Sequence, residues 1–83
     1  MSVAELIRLE LESMTQSERR VAAFALGNLG EIAFFTLEEL ANRSDVSTTS
    51  VLRFCRRLGY DGFRQFQQHS QRHTPSLFSK NTT

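Results

Sequence analysis

Thr36-Leu37-Glu38-Glu39-Leu40-Ala41-Asn42-Arg43-Ser44-Asp45-Val46-Ser47-Thr48-Thr49-Ser50-Val51-Leu52-Arg53-Phe54-Cys55-Arg56-Arg57-Leu58-Gly59 is the stretch on which the fold turns. Thr36 followed three residues later by Glu39 is a capping box: each side chain satisfies a backbone N–H of the other. It predicts a helix over roughly 37–43, with Leu37, Leu40 and Ala41 inward. Ser47 is a good N-cap for a second helix over roughly 48–58, and Gly59 suits the position just past its end. Between them, Ser44-Asp45-Val46 makes a three-residue turn. Two short helices around a tight turn, with small Ala41 where they cross, describe a helix-turn-helix. Val46 is its buried apolar member, and Val51 and Phe54 support the second helix from below.

At ~100° per residue the second helix has two chemically distinct faces. Val51, Phe54, Cys55 and Leu58 cluster on one side, and Thr49, Arg53 and Arg56 on the other. Thr48 and Leu52 flank one edge of the exposed face, and Ser50 and Arg57 the other. Hydroxyls near a helix start and arginines further along suit the major groove of duplex DNA. Ser47 and the first-turn amides can hold phosphate, because helix N-termini attract anions. Thr48, Thr49 and Arg53 can reach base edges, where arginine reads guanine through two acceptors. Arg56 and Arg57 are placed for the phosphate backbone, and Leu52 for a thymine methyl or the edge of the core.

Outward from this pair, more capping boxes organise the chain. Ser2 with Glu5 opens a helix of roughly 3–13, striped by Val3, Leu6, Ile7, Leu11 and Met14. Thr15 with Glu18 opens a second, roughly 16–28, striped by Val21, Ala22, Phe24, Ala25 and Leu29. Gly27 weakens its last turn, and Gly30 fits a left-handed position after its end. Glu31-Ile32-Ala33-Phe34-Phe35 reads as one apolar turn pressed into the core. Asp61 can cap a last helix over roughly 62–72, with Phe63 and Phe66 inward. Beyond Pro75 the periodicity stops. The expected fold class is all-α: a small bundle of five or six helices containing a helix-turn-helix.

Composition and charge narrow the function. The chain has 83 residues, 40% hydrophobic and 23% charged, which suits one globular domain. A single cysteine excludes a disulfide framework and a four-cysteine zinc site. No apolar run approaches the ~18 residues of a membrane span, and Met1-Ser2-Val3-Ala4-Glu5 has no basic n-region. A cytoplasmic domain is expected. Residues 1–41 hold three arginines against seven glutamates, a net −4, whereas residues 42–83 hold seven basic residues against two aspartates, a net +5. Such asymmetry points one half toward an anionic partner.

Several residues resemble a known family. Thr15-Gln16-Ser17-Glu18-Arg19-Arg20-Val21-Ala22, Ile32-Ala33-Phe34 and Thr36-Leu37-Glu38-Glu39-Leu40-Ala41 resemble the N-terminal domain of RpiR-family bacterial transcriptional regulators. So does the run from Val46 to Phe63, and most specifically Arg53-Phe54-Cys55-Arg56-Arg57-Leu58-Gly59 followed by Gly62-Phe63. The resemblance covers about residues 3–70. It implies an operator-binding domain of a regulator that works as a homo-oligomer on a two-fold site, in sugar or sugar-phosphate metabolism. The family's recognition helix falls on Ser47 to Leu58. Asp45 departs from the family's usual Gly at the turn. The resemblance further implies that residues 1–74 form the DNA-binding domain. Residues 75–83 would be a frayed tail or linker toward a sugar-isomerase-like domain, absent here, that binds a phosphosugar effector.

Other chemistries find little support. Cys55 falls on the apolar stripe and reads as a small buried hydrophobe. His69 and His73 are spaced to chelate a metal but lack an obvious third ligand, so they read as a surface pair. Phe34, Phe35, Phe63 and Phe66 read as core, and Leu9 as an isolated exposed leucine or a dimer contact. There is no phosphate loop and no catalytic constellation, so no enzyme activity, cofactor or metal is expected. The competing function is a helical protein-interaction domain that docks the 48–58 helix on an acidic partner.

Overall fold

The computed structural model describes residues 2–73, with side chains for residues 2–70. Among the described residues there are five α-helices and two short 3-10 helices, and no strand. α1 is Val3–Glu10, α2 Gln16–Gly27, α3 Leu37–Ser44, α4 Thr48–Arg57 and α5 Phe63–His73. All three capping boxes form. Ser2 N donates to Glu5 Oε1 at 2.9 Å, Thr15 N to Glu18 Oε1 at 3.1 Å, and Thr36 N to Glu39 Oε1 at 2.8 Å. In return each glutamate's N–H donates to the hydroxyl that caps it.

The core is built from one face of each α-helix and of the 3-10 helix Leu29–Phe34. Ile7, Val21, Ala22, Ala25, Ile32, Leu40, Val51, Phe54, Cys55 and Phe66 are wholly shielded from solvent. Phe54 of α4 meets Phe66 of α5 edge-on, with ring centroids 5.5 Å apart, a favoured aromatic geometry. α5 packs chiefly on the 3-10 helix Leu29–Phe34. There Gln67 Nε2 donates to Ile32 O at 3.2 Å, which also accepts from Phe35 N, and to Phe35 O at 2.7 Å, which no backbone N–H among the described residues reaches.

Departures from the sequence expectations have local causes. The first helix breaks at Glu10, and Leu11–Ser13 tightens to 3-10 geometry. Arg19 holds that turn, its Nε donating to Leu11 O at 3.1 Å and its Nη2 to Glu12 O at 3.3 Å. Leu11 is thereby rotated off the stripe and left exposed. Gly30 does not cap α2. Asn28 does, its Nδ2 donating to Phe24 O at 2.8 Å, and Gly30 enters the 3-10 helix. Phe34 is not core: that helix turns its side chain outward, 76% exposed, while Ile32 faces in. Phe35 and Phe63 are half-buried against the core. α5 begins at Phe63, so Gly62 rather than Asp61 holds the N-cap position, and Gln65 Oε1 accepts from Asp61 N at 2.7 Å. Leu9 stands 65% exposed on α1. The tail beyond Pro75 and the side chain of His73 lie outside the described residues.

Candidate nucleic-acid interface

α3 and α4 meet through a turn that the backbone itself specifies. Val46 N donates to Ala41 O at 2.9 Å and Asp45 N to Asn42 O at 3.1 Å. This is the paired helix-ending pattern that requires one left-handed residue. Asp45 fills that position with φ 60° and ψ 46°. Its side chain gives a compensating tie: Arg20 Nη1 of α2 donates to Asp45 Oδ2 at 3.3 Å and to Asp45 O at 3.4 Å. Ala41 is buried at the crossing, where a larger side chain would push the helices apart. The position usually held by Gly is thus occupied by a residue that tolerates the conformation and anchors it to α2.

α4 is fixed at both ends. Ser47 Oγ accepts from Ser50 N at 3.3 Å, capping the start. At the far end Gly59 takes φ 98°, Gly59 N donates to Arg56 O at 2.9 Å, and Tyr60 N donates to Cys55 O at 3.1 Å. Its inner face is the buried set Val51, Phe54, Cys55 and Leu58. Burial pushes the Cys55 thiol up to about 12, so it is neither nucleophile nor ligand at neutral pH.

The opposite face carries the site residues expected from the sequence. Ser47, Thr49, Arg53 and Arg56 are exposed, and Thr48, Ser50, Leu52 and Arg57 half-buried. Thr49, Arg53 and Arg56 follow one another along about 10 Å of helix at 1.5 Å per residue, a length that fits across a major groove. The first turn of α4 contains no acidic residue, so no carboxylate on the helix offsets the positive end of its dipole.

Arg57, expected at the margin of the face beside the phosphate backbone, also has a partner within the fold. Its Nε donates to Glu18 Oε1 at 2.6 Å, and Glu18 is 2% exposed. The guanidinium is drawn inward because a buried carboxylate needs a cationic partner. Glu18, legible in the sequence only as a capping residue, is therefore a support of α4. No local pattern predicts it, since 39 residues separate the partners. A shallow cleft of about 470 Å³ lies beside this pair, lined by Glu10, Glu18, Arg53, Arg56 and Arg57. On the neighbouring surface Arg43 of α3 lies over the Phe35 ring, 5.1 Å from its centroid.

Residues 1–73 match the family described as helix-turn-helix domain, rpiR family. The chain is 37% identical over 65 residues to an uncharacterized HTH-type transcriptional regulator of Caldanaerobacter subterraneus subsp. tengcongensis, covering 78% of this chain and 23% of that one. It is 39% identical over 66 residues to the bifunctional protein glk of Paraburkholderia xenovorans, covering 80% of this chain and 10% of that protein. It is 33% identical over 69 residues to the HTH-type transcriptional regulator HexR of Escherichia coli, covering 83% of this chain and 24% of that one. The chain thus spans a quarter or less of these relatives' length.

Proposed function

From the premise that the chain belongs to the rpiR family of helix-turn-helix domains, we propose that it is the duplex-DNA-reading domain of a bacterial transcriptional regulator, with α4 entering the major groove. One observation carries this reading: Thr49, Arg53 and Arg56 form an exposed stripe directly opposite the buried stripe of a doubly capped helix. In this reading Ser47 and the first-turn amides meet phosphate. Thr48, Thr49 and Arg53 meet base edges, with Leu52 beside a thymine methyl and Ser50 at the margin. Arg56 and Arg57 meet the backbone. Contacts to phosphate set register, and contacts to bases set sequence preference.

The proposal extends to the family's wider biology. Residues 1–74 are the operator-binding domain, and the full regulator is a cytoplasmic homo-oligomer on a two-fold operator of sugar or sugar-phosphate metabolism. Two recognition helices spaced ~34 Å apart read such a site with additive energy. A phosphosugar effector acts through a separate sugar-isomerase-like domain, so phosphosugars leave the DNA affinity of this chain unchanged.

Selection from random duplexes tests the reading. A duplex preferred ~10³-fold or more over random DNA is expected. On it, Arg53→Ala costs ~1–3 kcal/mol, and much less on random DNA. No preferred duplex, or equal losses on both, would move the base-reading role off Arg53 or transfer α4 to an acidic protein partner.

A further inference from the structure

The carboxylate of Glu18 does more than cap α2. Its Oε1 accepts from Thr15 N at 3.1 Å and from Arg57 Nε at 2.6 Å, at 2% exposure of the residue. Arg57 is 31% exposed at its side chain, and its terminal nitrogens make no hydrogen bond to the described residues. The guanidinium borders the cleft that Arg53, Arg56 and Glu10 also line. Three guanidinium groups there face two carboxylates, so the cleft stays cationic after Glu18 has taken its share. A guanidinium has five donors in a rigid plane, and Nε uses only one. With Nε held, the orientation of the remaining fork is set before any ligand arrives.

Building on the DNA-binding reading, we infer that Glu18 is a positioning residue: it holds Arg57 through Nε so that the terminal amino groups, beside Arg56, grip one backbone phosphate at the C-terminal end of α4. A phosphate is the fitting ligand because Arg57 is tethered at the margin of the exposed face, too far round to follow a base edge into the groove. The planar fork also matches phosphate geometry in two parallel bonds. The carboxylate contributes geometry, and the arginine contributes charge to both partners at once. A lysine has a single nitrogen, which the buried carboxylate captures.

That difference supplies the test. Each phosphate neutralised contributes about 0.9 to the slope of log affinity against log salt. Wild type, Arg57→Ala, Arg57→Lys and the double variant Glu18→Gln with Arg57→Lys are titrated with the selected duplex. Circular dichroism and urea midpoints fix a temperature at which all four are folded. Arg57→Lys keeps the ion pair and so keeps the fold. Its slope is nonetheless expected to fall by about 0.9, as in Arg57→Ala, making binding roughly 3.5-fold less sensitive to a fourfold rise in salt. In the double variant the neutral amide still accepts from Thr15 N but no longer holds the ammonium, and the wild-type slope is expected to return. If Arg57→Lys alone kept the wild-type slope, the phosphate contact would not need the fork that Glu18 leaves free on arginine, and the inference would be wrong. Unchanged slopes in both Arg57 variants would make the pair purely structural. Failure of the double variant to recover the slope would remove Glu18 as the competitor. Absence of duplex binding by the wild type would overturn the DNA-binding reading itself, together with this inference.

Discussion

Cys55 offers a way to loosen α4 from the inside without touching its outer face. The thiol is completely buried, and desolvation pushes its pKa up to about 12, against about 8.5 for a free cysteine. The folded chain therefore binds this proton more tightly than the unfolded chain. Stability from the protonated thiol is complete below about pH 8.5 and is lost progressively as the pH rises toward 12. Each unit above the unfolded pKa costs about 1.4 kcal/mol, so a shift from about pH 8 to about pH 10 should remove roughly 2 kcal/mol. That is a large share of the ~5 kcal/mol typical of a small domain. Urea unfolding at the two pH values measures the loss, with Cys55→Ala as the reference that cannot titrate there. The alanine adds a packing cost of its own, but that cost does not vary with pH. Tyr60 is raised chiefly by burial, an effect both proteins share, and further by the Cys55 thiol, which adds to the loss in wild type alone. Wild type should thus lose about 2 kcal/mol more than Cys55→Ala over this interval. Equal losses would mean that the thiol is hydrated in the folded state and that the helix phase is wrong.

Three further changes probe the frame around α4. Asp45→Val forces a β-branched residue into the left-handed turn and should cost about 1–2 kcal/mol in urea unfolding, whereas Asp45→Gly should stay within about 0.5 kcal/mol, because relief of the backbone offsets loss of the exposed Arg20 pair. Ala41→Leu overpacks the crossing of α3 and α4 and should cost about 1–3 kcal/mol, with loss of preference for the selected duplex measured by competition against random DNA. Gln67→Leu leaves the Phe35 carbonyl without its donor, while Ile32 O keeps Phe35 N, and should lower stability by about 1–3 kcal/mol; the salt slope of DNA binding, measured below the unfolding midpoint, stays at the wild-type value.

Helix starts were legible because a capping box is a code contained in four residues: Ser2 with Glu5, Thr15 with Glu18 and Thr36 with Glu39 each closed as their spacing predicts. The faces of α4 were legible for a similar reason, since a 3.6-residue period sorts Val51, Phe54 and Cys55 from Thr49, Arg53 and Arg56 without any tertiary information. Helix ends were less so. Gly30 looked like a terminator, yet Asn28 ends α2 by bonding back to Phe24, and the glycine continues into 3-10 geometry. Tightening of a turn also displaced Leu11 and Phe34 from the core, because a 3-10 turn advances each residue by about 120° and the helical stripe no longer applies. Least legible was Glu18. Its capping role fully accounted for its presence in the sequence, and nothing local marks the bond to Arg57.

That hidden bond bears on how so short a helix is held in place. Ten residues of helix are marginal alone, because nucleation is costly and few bonds repay it. α4 draws its rigidity from outside itself: the Ser47 cap, the turn held by Asp45 and Arg20, the Phe54–Phe66 contact, and the Gly59 stop. Substitutions on α4 should accordingly fall into two groups. Changes at Thr49, Arg53 or Arg56 should alter DNA binding and leave the urea midpoint in place, since none of the three is buried. Changes at Val51 or Phe54 should do the reverse at temperatures where the domain stays folded. Arg57 belongs to both groups, because one edge of its guanidinium holds the buried Glu18 while the other borders the cleft beside Arg53 and Arg56. Of these α4 positions it is the one where stability and salt dependence should move together on substitution by alanine. Lysine there should separate them, keeping the fold while giving up the phosphate.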